Sequence, residues 1–160
     1  MSSSLDDMYR EVILDHYRAP RGSKPLQTID ITTGGHNPSC GDEIEMDIEV
    51  KDGILKDVHV NCKGCAISVA SGSILAEAVK GKPFEEVLRI GESVKKLLKG
   101  ETEDIPEEHE DLEALKGVRQ FPVRIKCALL AWVTLLEGIK NYEEGDSKKQ
   151  NVTSTEDEEA

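Results

Sequence analysis

The residues best suited to chemistry in this chain are three cysteines and an aspartate. In Cys40-Gly41-Asp42 the two reactive side chains stand two apart, so in extended backbone they point to the same side. A thiolate and a carboxylate could then face one ion, with glycine easing the turn; the same tripeptide also suits an ordinary loop. Cys65 follows Gly64 at the predicted start of a helix, where the partial positive charge of the N-terminus favours a thiolate. A small cysteine buried between strand and helix is an equally good reading. Cys127 lies in a helix whose apolar stripe reads Ile125, Leu129, Trp132, Leu136 and Ile139. At about 100° per residue it falls roughly 200° from Ile125, nearly opposite that stripe. A cysteine that only fills core is expected on the stripe, and Arg124 and Lys126 are close enough in sequence to favour a thiolate. Three thiolates and a carboxylate make a four-ligand set suited to zinc. Thiolate-rich sites select Zn, Cu(I) or Fe–S over Mg or Ca, and the carboxylate leans away from Cu(I). The positions 40, 65 and 127 match no zinc-finger spacing.

The remaining candidates are weaker. Cys62-Lys63-Gly64-Cys65 is formally a C-x-x-C, but the βαβ context of a redox dithiol is missing. Cys62 reads as a strand-face cysteine that could also replace a ligand. His36, near Cys40, is kept as a reserve ligand; His16, His59 and His109 read as packing or surface residues. The acidic runs at 107–111 and 156–159 read as solvated surface.

These side chains must be positioned by a short series of elements. Apolar residues at helical spacing predict a helix over 5–17, with Ser4 as N-cap and 18–22 as its end. A β-branched, alternating strand is expected over 27–33, followed by a turn-rich loop over 34–39. Residues 43–50 alternate strictly, 51–53 read as a hairpin turn, and 54–60 return as a second strand. A helix follows Cys65 and closes at Gly81; its Ser68, Ser71, Gly72 and Ser73 are poor helix formers that would let another backbone approach. One or two helices are expected over 83–100, a loop and short helix anchored by Leu112 and Leu115 over 101–117, and the longest helix over 122–141. The domain is expected to span 1–141, with 142–160 an acidic tail too poor in apolar residues to fold.

At 160 residues the chain suits one domain. Apolar residues make up 38% and aromatic ones 4%, so the core must come from Val, Ile, Leu and Ala. A net charge of −12 argues against a nucleic-acid partner, which calls for a basic face. No apolar stretch approaches the roughly 20 residues of a membrane span, and the N-terminus lacks the pattern of a signal peptide. The expected location is therefore the cytoplasm, where four cysteines are metal ligands or reactive thiols rather than disulfides.

Four blocks carry a resemblance. They are Met8-Tyr9-Arg10-Glu11-Val12-Ile13-Leu14-Asp15-His16-Tyr17 with Pro20-Arg21; Asn37-Pro38-Ser39-Cys40-Gly41-Asp42; Gly64-Cys65-Ala66-Ile67-Ser68; and Arg124-Ile125-Lys126-Cys127-Ala128-Leu129-Leu130-Ala131-Trp132. In this order they resemble the SufU/IscU (NifU N-terminal-like) family over residues 5–140. Lys126, where IscU-type scaffolds carry histidine, and the longer stretch between Cys65 and Cys127 resemble the SufU type. The resemblance implies an α+β fold, a small three-stranded antiparallel sheet with helices packed on one side. It implies Zn2+ held by Cys40, Asp42, Cys65 and Cys127, and a zinc-dependent sulfurtransferase or sulfur carrier. The partners would be a SufS-like, pyridoxal-phosphate-dependent cysteine desulfurase and a downstream iron–sulfur assembly scaffold. Cys40, on a glycine-flanked loop, would be the thiol that takes the sulfur. The alternatives are a scaffold that builds a transient [2Fe-2S] cluster on the same residues, and a purely structural zinc module. Cys62 departs from the family pattern and could be a second accepting thiol.

Overall fold

The computed structural model describes residues 3–106, 109–145 and 152–155. Helix α1 (Ser3–Arg18) leads into strands β1 (Ile31–Asn37), β2 (Asp42–Lys51) and β3 (Ile54–Lys63). Helix α2 (Ala66–Val79), the two-residue β4 (Lys82–Pro83) and α3 (Phe84–Leu98) follow. A 3-10 turn (Glu110–Glu113), the short α4 (Ala114–Gly117) and a second 3-10 turn (Val118–Gln120) lead to α5 (Pro122–Glu143), and β5 (Val152–Ser154) ends the described chain.

The alternation in β2 does what its pattern predicts. Ile44, Met46 and Ile48 are buried, while Glu43 and Glu45 face water. Ile31 and Thr33 of β1 and Leu55 and Val58 of β3 continue the inner face, on which α2 and α5 pack. Helices thus cover one side of a largely antiparallel sheet, as expected. The sheet is wider than the expected three strands, with order β4-β3-β2-β1-β5: β4 caps one edge and β5 pairs parallel to β1 at the other.

The first strand differs from its expected place. It spans Ile31–Asn37 rather than 27–33, running straight through Gly34-Gly35-His36. Its register with β2, from Ile31↔Ile48 to Asn37↔Asp42, supplies backbone partners that outweigh the weak strand preference of the two glycines. Only 38–41 remain as the loop.

The stripe expected on the last helix is also corrected. Helix α5 is buried nearly all round, from Cys127 through Leu135 and again at Gly138 and Ile139, because α2, α3 and the sheet enclose it. An all-round buried helix has no single core stripe, so the angular position of Cys127 does not separate it from core. Trp132 is fully buried at its centre, with Nε1 donating to Ser71 Oγ at 3.0 Å, and that hydroxyl donates to Ala128 O at 2.7 Å. The serines of α2 are thus paired inside the core. Truncating Trp132 to Ala costs about 3–5 kcal/mol.

Where a structureless tail is expected over 142–160, α5 runs to Glu143 and residues 152–154 add a strand; positions 146–151 and 156–160 lie outside the described residues. Among the described residues no helix is long and apolar enough to cross a membrane.

Candidate metal centre

The β1–β2 hairpin places two of the four expected ligands. Its loop closes on Asn37, whose carbonyl accepts from the N–H groups of Cys40 at 3.3 Å and Gly41 at 2.8 Å. Gly41 takes φ 77, a left-handed conformation that suits glycine. Cys40 therefore stands exposed at the hairpin tip, while Asp42, the first residue of β2, is 1% exposed. Cys127, fully buried in the second turn of α5, faces this tip and donates its thiol to Cys40 Sγ at 3.4 Å. One ligand atom each from Cys40, Asp42 and Cys127 lies within 4.8 Å of the others.

Cys65 stands at the rim of that group rather than within it. It is the N-cap of α2, its Sγ is 3.6 Å from Ser68 Oγ, and its backbone N–H donates to Asp42 Oδ1 at 3.0 Å. Gly64 beside it has a positional reason: a Cβ there would lie 2.8 Å from Asp42 Cγ and collide with the carboxylate. Cys62 is half-buried on β3 opposite Ile44, and belongs to no group of potential ligands among the described residues. His36, the reserve ligand, lies on the sheet face opposite to Asn37 and is likewise outside the group.

The electrostatics separate these groups. Burial pushes the Asp42 carboxyl up, but hydrogen bonds from Ser68, the Cys65 backbone, Cys127 and Asn37 together hold it below the usual carboxylate range. A desolvated, ionised carboxylate is thus kept at the base of the site. Burial, then hydrogen bonds to Cys40 and Asp42, push the Cys127 thiol well up, which favours its protonated form. Cys62 is pushed up to about 12, first by burial and then by the charges of Asp42 and Cys65. Arg124 Nη1 lies 3.9 Å from Cys40 Sγ, and its cation is favoured first by a hydrogen bond with Cys127 and by the neighbouring cysteine sulfurs.

Sequence reasoning missed Asn37. Fully buried at the end of β1, its Nδ2 donates to Asp42 Oδ2 at 3.2 Å and to Cys127 Sγ at 3.5 Å. The signal was the inward alternation Ile31, Thr33, Gly35, Asn37, legible only if the strand is extended past the glycines. The donor set fits a borderline-soft divalent cation: thiols and one oxygen, pre-gathered, with a carboxylate already ionised in a buried place.

The family model described as NifU-like N terminal domain matches residues 8–149. The chain is 38% identical over 145 residues to the zinc-dependent sulfurtransferase SufU of Bacillus subtilis (strain 168), covering 91% of this chain and 98% of that one. It is 35% identical over 133 residues to the iron–sulfur cluster assembly scaffold protein IscU of Thermotoga maritima, covering 83% and 93%. The crystal structure of a nitrogen-fixing NifU-like protein (N-terminal) from Brucella abortus superposes with a TM-score of 0.78 at 26% identity, covering 88% of this chain and 97% of that one. With the motifs, the fold and the thiol–carboxylate group in agreement, the chain belongs to the NifU-like N-terminal domain family, the SufU/IscU proteins of iron–sulfur cluster assembly.

Proposed function

We propose that this protein is a zinc-dependent sulfur acceptor, taking persulfide sulfur from a cysteine desulfurase of the SufS-like, pyridoxal-phosphate-dependent kind. It would pass that sulfur to a downstream iron–sulfur assembly scaffold, and we place the reaction in the cytoplasm. The observation that carries the reading is the pairing of an exposed, loop-borne Cys40 with a fully buried Cys127 only 3.4 Å away. One thiol sits on an exposed loop and the other is packed inside a helix.

Cys40, Asp42 and Cys127 would hold Zn2+, with Cys65 as the fourth ligand from the N-terminus of α2. Zinc when bound keeps thiols deprotonated near neutral pH. The chain's residues divide the rest of the work. Asn37 and the Cys65 backbone N–H orient Asp42. Arg124 stabilises negative charge on Cys40 as the loop swings outward. The Cys40 thiolate then attacks the sulfane sulfur of the desulfurase persulfide. The S–S bond breaks, the desulfurase thiolate leaves with the electron pair, and Cys40 carries the persulfide; no net oxidation occurs. The 38% identical relative named as a zinc-dependent sulfurtransferase supports this reading.

A scaffold that builds a [2Fe-2S] cluster on the same residues is the second reading, favoured by the relatives named IscU. The test combines anaerobic purification with Cys40→Ala. Colourless protein carrying one zinc per chain, and loss of sulfur acceptance in the variant, support the first reading. Brown protein containing iron and sulfide, or normal sulfur acceptance by Cys40→Ala, overturns it.

A further inference from the structure

The family match ends at residue 149, yet the chain returns to the metal centre after it. Val152, Thr153 and Ser154 of β5 pair in parallel with Gly34, Gly35 and His36 of β1. This covers backbone that would otherwise be a free sheet edge, immediately before the hairpin that carries Cys40. The next residue, Thr155, is fully buried, and its Oγ1 donates to Asn37 Oδ1 at 3.0 Å.

That contact matters because of what the other end of the Asn37 carboxamide does. Its NH2 group offers two hydrogens, and two acceptors lie within reach, Asp42 Oδ2 and Cys127 Sγ. The reverse orientation would set the amide carbonyl against a carboxylate, so chemistry fixes Oδ1 on the far side. There it is sealed from solvent, and among the described residues the Thr155 hydroxyl is the side-chain donor that meets it. A buried carbonyl without a partner is unfavourable. Without this hydroxyl the amide would swing toward water or admit it, and its grip on Asp42 and Cys127 would loosen.

We infer that residues 152–155 form a strap added outside the shared domain, and that Thr155 is a positioning residue for the metal centre, acting through Asn37 on Asp42 and Cys127. The inference rests on the metal-binding reading above. The strap sets how readily the centre exchanges ligands. With it closed, the Asp42–Cys127 base stays rigid and opening is confined to the Cys40 loop. With it open, the base loosens as well.

The test uses the full chain loaded with zinc, alongside Thr155→Val, which loses the hydroxyl at nearly constant shape, and Thr155→Ser, which keeps it. The first readout is the rate at which a chromophoric chelator removes zinc. Thr155→Val is expected to release it about five- to ten-fold faster, the scale of one buried hydrogen bond, with Thr155→Ser close to the parent. The second readout needs no metal: alkylation of Cys127 in chelator-treated chain, followed by peptide mass spectrometry, should accelerate in Thr155→Val and be restored in Thr155→Ser. A lower thermal midpoint in Thr155→Val with both rates at the parent's value overturns the inference, because the strap would then only add stability. If the parent takes up no zinc, the metal-binding reading fails and the alkylation rates alone decide whether Thr155 positions the Asn37–Cys127 pair.

Discussion

Two clusters of potential metal ligands lie among the described residues, and they are built on opposite principles. One is Cys40, Asp42 and Cys127; the other is His16, Glu77 and Asp111, where α1, α2 and the first 3-10 turn meet. In the second, the hydrogen bonds close on themselves. The Arg21 N–H donates to Ser73 Oγ at 2.8 Å, leaving the Ser73 hydroxyl proton for His16 Nδ1 at 2.6 Å. His16 Nε2 is then free to donate to Asp111 Oδ2 at 2.7 Å. Arg21 adds an ion pair to Glu77 at 3.6 Å, and His109 Nε2 lies 3.2 Å from the same carboxylate. Every group has its counterpart, and no cation is needed. In the cysteine cluster two thiols face each other at 3.4 Å beside an ionised, desolvated carboxylate. Thiols bond weakly, so the Cys40 and Cys127 sulfurs are gathered on long contacts while the Asp42 carboxylate beside them is well held. Proximity of ligating atoms alone does not identify a metal site; what distinguishes the cysteine cluster is that its sulfurs are held only by long, weak hydrogen bonds.

The largest expected effect breaks the cysteine cluster. Cys127→Ser keeps the side-chain volume in a fully buried position but removes the thiolate. Zinc content measured by atomic emission should fall from one per chain to nearly none, with the far-ultraviolet circular dichroism unchanged. The histidine cluster should respond the other way. His16→Leu leaves Ser73 and Asp111 without their buried partner, and urea unfolding should report a loss of about 2–4 kcal/mol. Its zinc content should stay at the parent's value; loss of zinc there would blur the distinction drawn between the clusters.

The smallest effect belongs to the surface. Hydrogen bonds from Arg119 and Lys116 hold Glu103 down to about 2, from an ordinary 4.5. A depressed carboxylate stabilises the fold above its unfolded value, and that contribution is lost as pH falls from 4.5 toward 2. Glu103→Gln should therefore flatten the acid limb of a stability–pH curve while leaving zinc binding untouched. Because the group is fully exposed, salt should weaken the effect.

How far these features could be read beforehand follows from where the determining contacts lie. Cys40, Asp42 and Cys127 could be singled out as candidates because ligation depends on residue type, and the structure brings them together. The strict alternation of β2 and the hairpin into β3 were legible for the same local reason. Asn37 was not, since Gly34-Gly35 and Pro38 read as turn signals and only pairing with β2 makes this stretch a strand. The α5 stripe misled because its face assignment presumes a helix with one wet side, whereas tertiary packing encloses it. Thr155 was hidden in a polar, acidic tail, and its buried contact is with a residue far away in sequence.

The central claim is that Cys40 receives the sulfur while Cys127 stays in place. It is tested most directly by incubating the zinc-loaded chain with a cysteine desulfurase and limiting cysteine, then trapping and mapping persulfides by peptide mass spectrometry. The account predicts one additional sulfur atom on the peptide containing Cys40 and none on those containing Cys62, Cys65 or Cys127. Persulfide first accumulating on Cys62 or Cys127, with Cys40 unmodified, would contradict it.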